Sequence, residues 1–193
     1  FLLQMDLHAQ KKEIRDKFLN KREELKKNFT RENKEKLISN FFQLANNFTY
    51  DSVAGYYPIG SEIDCLGVLE KFNYNSTITA LPFVNDDKNI EFRVWNKSEA
   101  LEEGLFKIPV PKKRIIIIPD IIIIPLISFD KTGSRIGFGS GIYDRSLPSF
   151  PKSKKIGLAF SGQLNKRVIP IGEFDQKLDA VATEKDILLF KWG

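Results

Sequence analysis

Residues 120–124 read Asp-Ile-Ile-Ile-Ile between Pro119 and Pro125, and no other segment constrains the fold as strongly. Successive β-branched side chains favour a pleated backbone over a helix, and the flanking prolines cannot donate to a ladder. Such an uninterrupted apolar strand belongs to a sheet covered on both faces. Further apolar runs, read as strands, are Val53 to Tyr57, Thr77 to Leu81, Ile90 to Trp95, Lys155 to Phe160, Ala180 to Thr183 and Asp186 to Phe190. Ile115 to Ile118 fits either another strand or an extended lead-in. Helical patterns alternate with these runs. Leu7, Ile14, Phe18 and Leu25 make one amphipathic stripe; Leu37, Phe41, Leu44 and Phe48 make a second, after a break and N-cap at Asn28 to Thr30. Cys65 to Phe72 is expected to form two helical turns, and Ser140 to Leu147 a helix stopped near Pro148. The predicted fold is α/β: three layers, with a mainly parallel sheet covered by helices on both faces and the N-terminal helices packed on it. Residues 1–193 are expected to form one domain, with residues 1–10 frayed or appended.

Residue inventory narrows the chemistry. With a single histidine, His8, and a single cysteine, Cys65, a Ser-His-Asp or Cys-His arrangement and a His/Cys zinc site are nearly excluded. Cys65 is expected to be a buried small hydrophobe, and a lone thiol suits a reducing cytoplasm. No apolar stretch reaches the roughly 20 residues of a membrane span, and Phe1-Leu2-Leu3 is too short for a signal peptide. The net charge is +5, and residues 1–50 carry eleven Lys or Arg against seven Asp or Glu. A basic helical face of this kind is either solvated or attracts an anionic ligand. Acids interleave with the bases and no nucleic-acid recognition motif appears, so no nucleic-acid partner and no membrane partner is expected.

The densest chemistry follows the isoleucine strand. From Phe129-Asp130 the chain runs through Gly133 to Arg135-Ile136-Gly137-Phe138-Gly139-Ser140-Gly141-Ile142-Tyr143-Asp144-Arg145. Three glycines at alternate positions let backbone N–H groups approach a ligand closely, and a following helix start adds positive potential. Arg135 and Arg145 bracket the loop as bidentate phosphate donors, and Asp144 is a hard oxygen ligand suited to magnesium. Ile142 stands where the dinucleotide fingerprint has its third glycine, and no Gly-Lys-Ser/Thr follows, so neither of the common nucleotide loops is present.

This stretch resembles the 5-formyltetrahydrofolate cyclo-ligase family, whose hallmark is Phe-Asp, Gly, then Arg-Leu-Gly-x-Gly-x-Gly-Tyr-Tyr-Asp. Ile136 replaces the family's Leu and Ile142 the first Tyr. Lys11-Lys-Glu-Ile-Arg15 is similar to the family's opening Lys-x-x-x-Arg, with both cations on one helical face. Tyr56-Tyr57-Pro58-Ile59-Gly60-Ser61-Glu62-Ile63-Asp64 resembles its pterin-contacting turn, and Gly157 to Phe160, Gln163, Pro170, Asp175 and Asp179 to Glu184 its C-terminal pattern. The resemblance implies a ligase of one-carbon metabolism, closing 5-formyltetrahydrofolate to 5,10-methenyltetrahydrofolate with ATP and magnesium. It implies ATP contacts from Lys11, Arg15 and the loop Arg135 to Tyr143, with Arg135, Tyr143 and Arg145 at the reacting groups. Folate is assigned to Tyr57, Glu62 and Phe106, magnesium to Asp144 and Asp175, and the enzyme to the cytoplasm. Core packing competes as the role of Phe106 and Trp95. Two other classes stay open on the residues alone: another phosphate-binding α/β enzyme, such as a sugar-phosphate isomerase or acyl transferase, and a non-catalytic nucleotide-binding protein. Oligomeric state is not encoded in any motif.

Overall fold

The structure, a computed structural model, describes residues 2–190. Its main sheet has eight strands: β1 (Ser52–Ala54), β2 (Ile78–Val84), β3 (Ile90–Val94), β4 (Ile116–Ile117), β5 (Ile121–Ile124), β6 (Lys154–Leu158), β7 (Ala180–Ala182) and β8 (Ile187–Leu189). Across the sheet the order is β8-β7-β6-β5-β1-β2-β3-β4. The five inner strands from β7 to β2 are parallel, and the three outer ones are antiparallel to their neighbours. Four α-helices accompany them: α1 (Leu2–Lys27), α2 (Arg31–Ala45), α3 (Leu66–Tyr74) and α4 (Ile142–Ser146).

β5 behaves as its sequence demands. Ile121 and Ile123 enter the apolar layer under α2 and α3, beside Leu37, Phe41, Leu44 and Phe72. Ile122 and Ile124 enter the opposite layer with Phe92, Phe129, Leu147 and Phe150. All four are fully buried, which contributes about 1.5–3 kcal/mol each against an exposed isoleucine. That second layer is covered by α4, the turn after it, and a small hairpin pairing 128–129 with 135–136. α2 starts at Thr30, whose Oγ1 accepts from the Asn33 N–H at 3.1 Å. α1 closes the carboxyl ends of the inner strands: Phe18 packs on Ile127, Ile136 and Ile169.

Element bounds differ from the expectation where side chains compete for the backbone. The run from Val53 leaves the sheet after Ala54, because the Tyr56 N–H and carbonyl pair with the Cys65 thiol instead of a neighbouring strand. Cys65 is buried, as expected of a small hydrophobe. Two hairpins of two- and three-residue strands, 101–103 with 109–111 and 128–129 with 135–136, are additions that no sequence period announces. Among the described residues, no helix is long and apolar enough to cross a membrane.

The chain passes from β1 to β2 on one side and returns to β5 on the other, so β1 and β5 flank a topological switch point. In such sheets the crevice beyond the carboxyl ends of those strands is where ligands bind. Gly157 in β6 shows how closely this part is packed. An added Cβ there would lie 2.7 Å from Leu126 and 3.0 Å from both Leu178 and Val181. Gly157→Val is therefore expected to overpack the layer and cost on the order of 1–3 kcal/mol, read as a lower urea midpoint with an unchanged m-value. A wild-type midpoint would show the layer to be looser than these distances require.

Candidate active site

The glycine loop is launched by one carboxylate. Asp130 is 1% exposed, and its Oδ1 accepts from the Thr132 N–H (2.7 Å), the Thr132 hydroxyl (2.7 Å) and the Ser134 N–H (3.2 Å). Its Oδ2 accepts from the Ile169 N–H at 2.6 Å. This network closes the turn that brings Arg135 and Ile136 back against Ser128 and Phe129. Gln163 fixes the preceding segment by donating to the carbonyls of Leu126 (2.9 Å) and Ile127 (3.0 Å). The loop that follows is held open by backbone geometry. Gly139 has φ +100° and Gly141 φ +67°, values that side-chain-bearing residues rarely adopt. α4 is only five residues long. The dipole expected of a following helix is correspondingly small, and positive potential over the loop comes mainly from guanidinium groups.

Those groups arrive from two directions. On α1, Arg15 donates from Nε to the Gly137 carbonyl at 2.8 Å, and its guanidinium lies 3.3 Å from where a Cβ on Gly139 would sit. One turn earlier, Lys11 forms an ion pair with Asp175, which also accepts from the Gly172 N–H at 2.7 Å. From the small hairpin, Arg135 is buried and donates from Nη1 to Asp144 Oδ1 (2.9 Å) and the Gln176 carbonyl (3.1 Å). Its Nε is buried without a hydrogen-bond partner. A buried donor left unpaired costs about 1–3 kcal/mol, so this one is suited to an oxygen that arrives with a ligand.

Lys11, Arg15, the loop from Arg135 to Asp144 and Asp175 line a cavity of about 550 Å³. The turn after β1 and the 101–111 hairpin line the same cavity, with Tyr57, Glu62, Phe106, Ile108 and Val110. Glu62 is 4% exposed; its Oε2 accepts from the Ile59 N–H at 2.8 Å. Burial pushes its carboxyl above the ordinary range, against the opposing pull of that bond and of Arg22 and Lys26. Burial also drives the Tyr143 phenol up, helped by the nearby Glu62 and Cys65, and opposed by Arg135. Phe106 is 72% exposed at a hairpin tip with φ 56°, so it is cavity wall and not core. Trp95, in contrast, is 6% exposed and packs in the core.

The sequence-derived positions therefore converge: Lys11, Arg15, Tyr57, Glu62, Phe106, the loop from Arg135 through Asp144, and Asp175 are all lining residues, with Ile136, Gly137, Phe138, Gly139, Ser140, Gly141, Ile142 and Tyr143 in the loop itself. Arg145 stands apart. It is exposed, lies outside the lining, and braces the loop by donating to the Ser140 carbonyl at 2.8 Å. Sequence reading overlooked His8, which lines the cavity one turn before Lys11, and Arg22, which is buried behind it. For Arg22 a signal existed: it follows Arg15 by seven residues, on the same helical face. Asp144 and Asp175 are each already engaged by a cation, and no group of three or more metal-ligating side chains occurs among the described residues.

A sequence-family model described as the 5-formyltetrahydrofolate cyclo-ligase family matches residues 7–184. A 5-formyltetrahydrofolate cyclo-ligase of Escherichia coli (strain K12) is 29% identical over 145 residues, covering 70% of this chain and 79% of that one. Its counterpart in Mycoplasma genitalium is 32% identical over 117 residues, covering 60% and 62%. The solution structure of Aquifex aeolicus 5,10-methenyltetrahydrofolate synthetase superposes with a TM-score of 0.80 at 32% identity, covering 95% of this chain and 94% of that one.

Asp130 touches no cavity, yet the loop hangs from it. Asp130→Ala strips acceptors from three buried or half-buried N–H groups and is expected to cost on the order of 2–4 kcal/mol of stability. The check is chemical denaturation together with hydrogen exchange at the amides of Thr132, Ser134 and Ile169, all of which should lose protection. Unchanged exchange at Ile169 would show that the carboxylate does not organise the turn.

Proposed function

The chain belongs to the 5-formyltetrahydrofolate cyclo-ligase family, and from that premise we propose that this cavity carries the ATP-dependent closure of 5-formyltetrahydrofolate to 5,10-methenyltetrahydrofolate, with release of ADP and phosphate. One observation carries the assignment to the cavity. A single crevice is lined both by the cation-bearing glycine loop and by apolar side chains around one buried carboxylate, so a nucleotide and a folate can share it.

The chemistry follows from the inventory. The formyl oxygen on the folate nitrogen is a poor leaving group. Its attack on the γ-phosphorus breaks the bond to the β-bridging oxygen and leaves ADP, with the formyl carbon activated as a phosphorylated, imine-like centre. The neighbouring folate nitrogen attacks that carbon and loses its proton, and phosphate departs with the former formyl oxygen as the ring closes. Nothing in this sequence requires a histidine or a thiol; it requires alignment and neutralisation of phosphate charge. We assign the phosphates to the N–H groups of the loop Arg135 to Tyr143, with Lys11 and Arg15 over them. Arg135 Nε is the donor to an oxygen of the transferring group. Tyr143 stays a neutral phenol and serves as a hydrogen-bond donor, while Arg145 stabilises the loop from outside.

Glu62 is assigned to the amino and ring N–H groups of the pterin, and Tyr57 and Phe106 to its faces. The donor set also fits a magnesium ion that enters with ATP. Arg135 and the Gln176 N–H both engage Oδ1 of Asp144, and Lys11 and the Gly172 N–H both engage Oδ2 of Asp175, so each carboxylate keeps a second oxygen outside those bonds. A magnesium held there through its waters would neutralise the phosphates. Outward cations of the N-terminal helices pair within their own helices, as in Lys12–Asp16, Arg31–Glu35 and Lys36–Glu32. This supports small molecules, folate and ATP, as partners in place of nucleic acid, and we place the enzyme in the cytoplasm, where its lone thiol stays reduced.

Mixing the protein with MgATP and 5-formyltetrahydrofolate is expected to produce the methenyl chromophore and one ADP per ring closed. ADP release without the chromophore would overturn the reading. Glu62→Gln keeps an acceptor for the Ile59 N–H but loses the charge, and should weaken folate binding by on the order of 1.5–3 kcal/mol, about 10- to 100-fold, with ATP affinity retained. In the wild type the raised carboxyl means that folate affinity is full above its titration and falls as pH drops through it. Stability runs the opposite way, because burial penalises the ionised form: Glu62→Gln should be no less stable than the wild type at neutral pH. Equal folate affinities for the two proteins across pH would remove Glu62 from the site.

A further inference from the structure

Arg22, at 2% exposure, is the most deeply buried cation among the described residues, and no role follows for it from the reaction as described. It lies on α1 behind the cavity wall. Its Nε donates to the Ser61 hydroxyl at 2.9 Å and its Nη1 to the Leu126 carbonyl at 3.1 Å. The guanidinium carbon sits 5.2 Å from the centroid of the Phe138 ring, in the glycine loop. One residue side chain thus touches the turn that carries Glu62, the segment leaving β5, and the loop assigned to phosphate. One helical turn on, Lys26 donates to the Gly60 carbonyl at 2.5 Å, so α1 grips the same turn twice.

Burying a guanidinium is expensive, and an apolar residue of similar size would fill the space at lower cost. Ordinary packing therefore leaves the choice of arginine unexplained. Resting on the assignment of Glu62 to folate, we propose that Arg22 is a positioning residue for folate recognition: it fixes the Ser61-Glu62 turn, places a positive charge behind that turn, and ties it to the glycine loop through Phe138. Charged and titratable groups facing Glu62 come from every neighbouring element. They are Arg22 and Lys26 on α1, Tyr56 and Cys65 around its own turn, and Tyr143 at the start of α4. Of these, only the two cations favour the carboxylate, and Lys26 is the exposed one. Arg22 itself pays for burial with a lowered proton affinity, partly restored by Glu62.

The contact with Phe138 adds a second consequence. A nucleotide on the loop would restrain Phe138, whose ring lies 5.2 Å from the guanidinium that holds the folate turn. Folate affinity is then expected to be higher with nucleotide bound, and Arg22 is the link.

The test is the pH dependence of kcat and of KM for both substrates in the wild type, Arg22→Lys, Arg22→Gln and Glu62→Gln. Arg22→Gln keeps hydrogen-bond donors but not the charge. It should raise KM for 5-formyltetrahydrofolate about 10-fold at neutral pH and move the acid limb of kcat/KM for folate upward, on the order of one pH unit. KM for MgATP should change less than about 3-fold. Arg22→Lys should restore the limb to its wild-type position. In a Glu62→Gln background Arg22→Gln should add little to the folate KM. Should Arg22→Gln fail to fold, Arg22→Lys and Phe138→Ala still decide: the lysine variant must keep the wild-type limb, and Phe138→Ala must reduce the gain in folate affinity on adding the non-hydrolysable ATP analogue AMP-PNP. An unmoved limb in Arg22→Gln, or a limb displaced equally by lysine, overturns the proposal. An unchanged folate KM in Glu62→Gln instead overturns the assignment on which it stands.

Discussion

The double-sided burial of β5 is the constraint from which the architecture follows. Four consecutive isoleucines can be covered only by placing apolar layers above and below, and this forces β5 into the interior of the sheet with β1 and β6 as parallel neighbours. Parallel neighbours require crossovers, and the crossovers supply α2, α3 and the covering turns. Because the chain leaves β1 in one direction and returns to β5 from the other, the strand ends open a crevice between them. The residues that follow β1 and β5 are among those that line it.

Electrostatics then decide what that crevice accepts. α1 presents Lys11, Arg15 and Arg22 inward, while Lys12 faces outward to pair with Asp16. Inward charges are only partly hydrated, so their fields act on a ligand with less screening than a surface charge would suffer. Arg135 and Glu62 extend the same principle to the cavity lining. Each is buried, each has internal partners, and each retains a feature that a ligand would satisfy: the unpaired Nε of Arg135 and the unspent acceptor capacity of Glu62. The nucleotide and pterin proposed for this cavity would meet those needs with no covalent chemistry from the protein.

Much of this was legible in the order of residues. The strands at 78–84, 90–94, 121–124 and 154–158 announce themselves as short apolar runs bounded by turns, and the stripe Leu7, Ile14, Phe18, Leu25 identifies α1. The glycine loop is legible because its chemistry is local: alternate glycines, flanking arginines and a following Tyr-Asp all lie within eleven residues. Asp130 was quoted only as part of a motif, and its work of holding Thr132, Ser134 and Ile169 depends on a segment 39 residues away. The hairpins at 101–111 and 128–136 have strands of two or three residues, too short for any periodicity to build up.

What the sequence determined by itself is therefore the class of sheet, the loop able to cradle an anion, and the absence of the side chains needed for triad or zinc chemistry. These follow from local sterics and from residue inventory, which do not wait on the fold. The tertiary structure alone decided which cations turn inward. Lys11, Arg15, Arg22 and Lys27 are the same kind of residue on one basic helix; packing over the carboxyl end of the sheet turned three of them inward and left Lys27 in solvent. It likewise made Phe106 a cavity wall and Trp95 core, two aromatics that sequence could not tell apart. The physical reason is that burial and field at a side chain are set by what packs against it, and the Arg22 guanidinium meets Ser61, Leu126 and Phe138 only after the chain has closed on itself.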